Sequence, residues 1–173
     1  MDGEELRALQ APLKQRYRDE PDSALVTLRA DGELGAEAVA CSVQTGRALV
    51  EAGLHPASGG DGTAACSGDM LLQALVACAG VTLRSVAVNR GIALTGGRVT
   101  AEGDLDFRGT MAVSREAPVG FRSIRLAFDV ESSAGPEELD ALFALTERYC
   151  VVYQTLAGGV PVRISHTVTP AAS

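Results

Sequence analysis

Tryptophan is absent from this 173-residue chain, and only 4% of its residues are aromatic. The core therefore cannot rest on large aromatic side chains and must consist mostly of Ala, Val and Leu. The apolar fraction of 46% is ordinary for a globular protein, and the length suits one domain with a sizeable core. We expect residues 1–173 to form a single domain.

An excess of positive charge is also lacking, since the net charge is −7. Nucleic-acid binding depends on Lys and Arg that neutralise phosphates, so nucleic acid is not an expected partner. Arg84 and Asn89 interrupt the longest apolar run, so neither a membrane-spanning segment nor a membrane partner is expected. The N-terminal sequence MDGEELRALQ lacks the basic-then-apolar order of a signal peptide. These features predict a cytoplasmic protein.

Metal and nucleotide motifs are missing as well. No C-x-x-C pair occurs, and the GGDG segment lacks the G-x-x-x-x-G-K-[ST] pattern of a phosphate-binding loop. The spacing of the potential metal ligands gives little support for a zinc site; these are Cys41, Cys66, Cys78, Cys150, His55 and His166. We therefore expect no metal and no cofactor. Cytoplasmic thiols are kept reduced, so free or catalytic cysteines are expected rather than structural disulfides.

The first third of the chain predicts a helix followed by strands. Residues 1–22 form a helical extension with apolar side chains at helical spacing, at Leu6, Leu9, Leu13 and Tyr17. The runs ALVTLRA, AEAVACSV and RALVEAG then predict an antiparallel meander, with a turn at Thr45 and Gly46 between the last two.

Two strong helices with strands around them are predicted in the rest of the chain. The first is capped by Ser67, ends at Gly91 and is apolar nearly all round, so it should be buried on every side. RVTAEGDLDF and FRSIRLAFDVES predict strands. The second helix starts at Pro136, runs through Cys150 and ends at Gly158, and VPVRISHTV predicts a final strand.

Each of these helices contains one cysteine, Cys78 in the first and Cys150 in the second. A cysteine in an apolar helix often serves only as a small core side chain. Two such thiols act instead as a nucleophile and its resolving partner if the helices bring them together. The sequence alone leaves both interpretations open.

The motifs around the two cysteines resemble the osmotically inducible protein C and organic hydroperoxide resistance (OsmC/Ohr) family. SGDMLLQALVACAGVTLRSVAVNRGI is similar to the first-helix motif of the family, and APVGFRSIRLAFDV is similar to the loop and strand that follow. LTERYCVVYQTL is similar to the second-helix motif, usually written with Cys-Pro-Val. The likeness covers roughly residues 24–168. It implies an α+β, OsmC-like fold with antiparallel sheets wrapped around two central helices, in an intertwined homodimer, with the N-terminal helix as an addition.

The resemblance also implies thiol-dependent reduction of organic hydroperoxides with an external dithiol as reductant. By position, Cys78 would be the peroxidatic thiol, Cys150 the resolving thiol and Asp69 the supporting acid, where the family has Glu. Asp69 and Cys78 lie about 13 Å apart along a straight helix, so Asp69 would serve a partner subunit's thiol or an interfacial Arg. Because apolar burial disfavours a thiolate, a nearby cation is expected, and Arg47 is the better candidate over Arg29.

The chain departs from the family pattern at two further positions and in its activating arginine. Val151 replaces the usual Pro after the second cysteine, and Ala79 follows Cys78 where many peroxidase members have Phe. The activating Arg stands in no alignable motif. These departures favour the OsmC-like subgroup and leave two alternatives to the peroxidase: a non-catalytic dimer that binds an apolar ligand, and a slow redox sensor.

Overall fold

The structure, a computed structural model, describes residues 32–34, 40–44, 49–112 and 114–166, and six single positions among residues 4–19. Those six positions are helical, but the N-terminal extension as a whole, the strand expected at 24–30 and the turn at Thr45 and Gly46 lie outside the described residues. Helices and strands both contribute to the described part, so the α+β class is confirmed.

The described strands form two sheets. β1 (Gly32–Leu34), β2 (Ala40–Gln44) and β3 (Leu49–Gly53) are consecutive antiparallel neighbours, as the meander prediction requires for the last two. The two-residue β4 (Ala65–Cys66) pairs in parallel with β3. This pairing brings the chain to the start of the long helix, with Cys66 aligned to Gly53.

The second sheet is a long antiparallel pair of β5 (Leu94–Leu105) and β6 (Phe121–Ser132). The strand predicted from FRSIRLAFDVES is confirmed as β6, and its side chains alternate: one face is half-buried, with Ile124, Leu126, Phe128 and Val130, and the opposite face is exposed. Gly97 lies beside the irregular register of β5 with φ +145°, and an added Cβ would lie 2.5 Å from the Asp129 carbonyl oxygen. Only glycine fits there without strain.

The long helix α1 spans Ser67–Arg90 and ends at Gly91, whose φ of +72° gives the predicted left-handed cap. Its N-cap is Cys66, not Ser67 as predicted from residue preference. The reason is that Cys66 remains extended because it pairs with β3, so the helix can begin only at the next residue. Asp69 lies in the first turn, as expected.

Burial of α1 is one-sided. Leu75, Ala79, Leu83 and Ala87 are buried, whereas Val81 on the other side is 72% exposed. The expectation of burial all round is therefore wrong for the single chain, because β5, β6 and the later helices cover one face only. By length and composition alone, α1 is long and apolar enough to cross a membrane, a property that core helices of soluble proteins share. Here its buried face joins the core with Ile92 and Leu142.

The predicted second helix is in fact two. α3 (Pro136–Tyr149) and α4 (Val151–Gly158) meet at Cys150, which is extended, with φ −74° and ψ 107°. Pro136 occupies the first position as predicted, and the Gly135 backbone N–H donates to Glu138 Oε2 at 3.2 Å. Leu142, Thr146 and Cys150 are buried and form one stripe along this segment.

Two connections differ from expectation. The short helix α2 (Phe107–Thr110) forms between the long strands, capped by Asp106. The prediction of a final strand is wrong for residues 160–166. These residues form no strand and are exposed, with Val162 82% and Ile164 92% accessible. An alternating sequence becomes a strand only beside another strand edge, and the described part of the single chain places none beside it.

We predict that Leu142→Ala lowers the free energy of unfolding by about 2–5 kcal/mol, because Leu142 is fully buried in the contact between α1 and α3. Leu54→Ala removes the same atoms at a site that is 42% exposed and should cost much less. Urea unfolding of both variants measures the difference. Equal destabilisation would contradict the assigned core.

Candidate functional site

The two helix cysteines meet in the structure. Cys78 lies half-buried on α1, and Cys150 is 1% exposed at the junction of α3 and α4, both of which pack on α1. The Cys150 side chain lies against the Cys78 side chain, and both cysteines are free thiols. The two side chains are therefore close together, and their roles as peroxidatic and resolving thiols stay predictions.

The helix break at Cys150 explains the surroundings of Cys78. The first backbone N–H groups of a helix have no partner within it, so they are free to bind an anion. The N–H groups of Val151 and Val152, at the start of α4, lie beside the Cys78 sulfur and lower its pKa. If α3 continued without a break, these groups would bond carbonyl oxygens of its last turn instead.

Opposing effects set the pKa of Cys78. Burial raises the pKa of this thiol, and the Val152 N–H, the Cys150 side chain and the Val151 N–H lower it by more. The Thr82 hydroxyl donates to the Cys78 backbone carbonyl oxygen at 2.8 Å. The net pKa is lowered. Among the described residues, none of these leading contributions comes from a charged side chain. Backbone N–H groups and neutral hydrogen bonds therefore favour the thiolate.

Cys150 behaves in the opposite way. Burial raises the pKa of Cys150. The neighbouring Cys78 raises it further, because a thiolate on Cys78 would repel a second thiolate on Cys150. The Tyr153 N–H offsets these effects only in part. The two sulfurs are thus differentiated, with a thiolate favoured on Cys78 and a thiol retained on Cys150. This is the order needed for a nucleophile and a resolving thiol.

A cavity of about 600 Å³ opens beside Cys150, between the helices and β6, and Cys78 is not among its lining residues. Its walls are mainly apolar, with Leu75, Ala79, Ile124, Leu126, Phe128 and Phe143. Cys150 lies in the wall, and Glu147 and Tyr153 stand together, with the Tyr153 hydroxyl donating to Glu147 Oε1 at 2.7 Å. Glu147 is the only charged residue among the described residues that line the cavity.

Asp69 lies apart from this cavity. It is nine residues before Cys78 on the same continuous helix, about 13 Å along the axis. It lines a separate cavity of about 360 Å³ together with His55, Cys66 and Asp104. The structure therefore does not bring Asp69 to the thiol pair within one chain, and its service to a partner subunit stays a prediction.

The predicted cation is not among the described residues, because Arg47 and Arg29 both lie outside them. Two arginines near the helices are engaged elsewhere: Arg84 Nη1 donates to the Leu94 carbonyl oxygen at 2.7 Å, and the Arg148 guanidinium lies 5.5 Å from the Tyr149 ring centre. The role of Arg47 stays a prediction. Within the described ranges no group of three His, Cys, Asp or Glu side chains is arranged to bind a metal.

The N-terminus of α4 is the part of the site that sequence reasoning missed. A proline after Cys150 would have marked a helix start, because proline favours the first helical position. Val151 gives no such signal, and the apolar spacing runs through Cys150 without interruption. The functional donors are backbone groups, which residue types do not reveal.

Comparison with known proteins shows the family and the fold of this chain. The sequence model described as OsmC-like protein matches residues 60–165. The chain belongs to the OsmC-like protein family. The family prediction from the sequence motifs is thereby confirmed. No curated protein matches the chain significantly in sequence.

Solved structures show the same OsmC-like fold. An OsmC-like protein from Mycoplasma pneumoniae has a TM-score of 0.65 at 16% identity, covering 78% of this chain and 89% of that one. The organic hydroperoxide resistance protein OsmC from Legionella pneumophila gives 0.60 at 22% identity, covering 78% and 92%. OhrB of Bacillus subtilis, also an organic hydroperoxide resistance protein, gives 0.52 at 18%, covering 79% and 94%. At these identities the likeness shows the shared fold alone.

We predict that Cys78 alkylates with a pH midpoint below that of an ordinary cysteine, about 8.5, because its pKa is lowered and the thiolate is the reactive form. Cys150→Ala removes a donor and should raise the midpoint, whereas Cys150→Ser keeps an O–H donor and should not. Iodoacetamide labelling from pH 5 to 10, read by mass spectrometry at Cys78, measures this. A wild-type midpoint at or above 8.5 would contradict the thiolate assignment.

Proposed function

We propose that this OsmC-like protein is a thiol-dependent peroxidase that reduces organic hydroperoxides. The observation that carries the proposal is the contact between two free thiols with opposite pKa shifts, lowered for Cys78 and raised for Cys150. The names of the Legionella and Bacillus structures, both organic hydroperoxide resistance proteins, support the same substrate class.

The reaction starts at the Cys78 thiolate. Its sulfur attacks the terminal oxygen of ROOH, the O–O bond breaks, and the electron pair leaves with the alkoxide, which takes a proton and departs as ROH. Cys78 is thereby oxidised to a sulfenic acid. Donors at Val151 and Val152 stabilise the anionic sulfur before the attack.

Cys150 then resolves the sulfenic acid. Its sulfur forms the disulfide with Cys78, the sulfenic oxygen leaves with two protons as water, and no further oxidant is needed. An external dithiol reduces this disulfide by exchange and is itself oxidised to a disulfide. Both cysteines return to the free-thiol state of the structure.

The proposal includes a homodimer, an N-terminal extension and a cytoplasmic location. The homodimer implied by the family would cover the exposed face of α1 around Val81, and Asp69 and Arg47 would act across that interface. The residue 1–22 extension is an addition to the shared fold. A cytoplasmic location would keep the two thiols reduced between turnovers.

We predict that the wild-type protein consumes cumene hydroperoxide with a dithiol reductant and that Cys78→Ser abolishes this turnover. Cys150→Ser should still react once and accumulate sulfenic acid on Cys78, detectable with dimedone. Cys66→Ser removes a thiol that lines the separate cavity beside Asp69, and this variant should keep the activity.

Rapid-quench thiol labelling after one equivalent of peroxide separates the alternatives. Slow labelling of Cys78 at neutral pH without turnover would replace the peroxidase with a non-catalytic protein that binds an apolar ligand. A Cys78–Cys150 disulfide that forms but cycles slowly would indicate a redox sensor instead.

Charge in the cavity predicts a preference within the substrate class. The walls are apolar and the one charged lining residue in the described part is Glu147, so an uncharged hydroperoxide should bind better than a carboxylate. The methyl ester of linoleic acid hydroperoxide should exceed the free acid by about tenfold or less in kcat/KM at pH 8, since Glu147 is solvent-screened. Glu147→Gln should reduce the ratio. A preference for the free acid would contradict this.

A further inference from the structure

The junction at Cys150 raises a structural question: α3 and α4 are joined by one extended residue, so something must set the direction in which α4 points. Packing of α4 on α1 constrains this direction in part, and the single linking residue adds little to it. Cys150 N–H bonds back to the Thr146 carbonyl at 2.9 Å, and its own carbonyl accepts from the Gln154 N–H at 2.9 Å. These bonds complete each helix separately but do not tie one helix to the other through side chains.

Two side-chain hydrogen bonds cross the break. The Tyr153 hydroxyl donates to Glu147 Oε1 at 2.7 Å, and Gln154 Nε2 donates to the Glu147 backbone carbonyl at 2.9 Å. Both donors lie in the first turn of α4 and both acceptors in the last turn of α3. The last carbonyl groups of a helix have no partner within it, and Gln154 satisfies one of them.

The direction of α4 matters because its N–H groups act on Cys78. A hydrogen bond weakens steeply when the donor angle departs from linear, and the favourable helix end acts only within its first turn. A rotation of α4 about the extended Cys150 link would therefore remove the Val151 and Val152 donors from the Cys78 sulfur. The two cross-break bonds oppose that rotation.

We propose that Tyr153 and Gln154 are positioning residues that fix the N-terminus of α4 against the Cys78 sulfur by binding Glu147 across the helix break. Neither residue needs to touch the hydroperoxide for this. The two bonds to Glu147 are geometric observations, the effect of α4 on Cys78 is its lowered pKa, and the catalytic consequence rests on the proposed peroxidase function. In this proposal the side-chain contacts of Tyr153 and Gln154 fix the start of α4, where this chain has Val151 instead of a helix-starting proline.

The titratable and charged groups around this junction are the Cys150 thiol, Glu147 and Arg148 at the end of α3, and Tyr153 on α4. Tyr153→Phe frees the Glu147 carboxylate, which would also disfavour the thiolate. Tyr153→Phe in a Glu147→Gln background removes the hydroxyl without leaving that charge. Glu147→Gln alone keeps an acceptor oxygen for Tyr153.

The test is the pH profile of Cys78 alkylation in the full chain, with iodoacetamide and site-resolved mass spectrometry. Tyr153→Phe, Gln154→Met and Tyr153→Phe with Glu147→Gln should each raise the midpoint and slow labelling at pH 7 by about threefold, the loss expected from one hydrogen bond. Glu147→Gln alone should leave labelling close to wild type. Tyr149→Phe is the matched control, because Tyr149 is 58% exposed and its ring contact with Arg148 survives.

Cys150 provides an internal check on folding. It is 1% exposed, so a variant that merely loosens the fold would label Cys150 along with Cys78. A shifted Cys78 profile with Cys150 still protected supports the positioning role. Unchanged midpoints in Tyr153→Phe and Gln154→Met, or a shift accompanied by Cys150 labelling, would overturn it. Because no peroxide is used, absence of peroxidase turnover would sink the proposed function and leave this result intact.

Discussion

The interruption of a helix at one residue is the constraint on which the site depends. Extended backbone at Cys150 ends α3 and starts α4, and so releases N–H groups that a continuous helix would use internally. The same break places the Cys150 sulfur beside Cys78. One local backbone feature thus supplies both the stabilisation of the nucleophile and the position of its resolving partner.

Much of the fold was predictable because its elements carry periodic patterns. The alternation of β6, the stop at Gly91 and the start at Pro136 all follow from local preferences that the tertiary structure leaves intact. The failures share a cause of the opposite kind. Cys66 replaces Ser67 as the cap because of pairing with β3, and the exposed residues 160–166 lack the neighbouring strand that their alternation requires.

At the site, side chains were predictable and backbone donors were not. Cys78 and Cys150 could be paired because two motif-like helices each held one thiol. From burial of the thiol the sequence predicted a nearby cation such as Arg47, and that cation stays a prediction. The donors found in the described part are the N–H groups of Val151 and Val152, which every residue except proline possesses.

Stabilisation of the Cys78 thiolate by backbone N–H groups and stabilisation by a cation would matter at different degrees of burial. In the single chain Cys78 is half-buried, and the neutral donors already outweigh the effect of burial on its pKa. Cys78 lies on α1 close to the face that carries the exposed Val81. A second subunit covering that face would remove water from the sulfur and increase the burial effect, while the α4 donors would stay the same. We propose that a cation from Arg47 would then offset the added burial, so that the break at Cys150 and an interfacial arginine would complement each other in stabilising one thiolate.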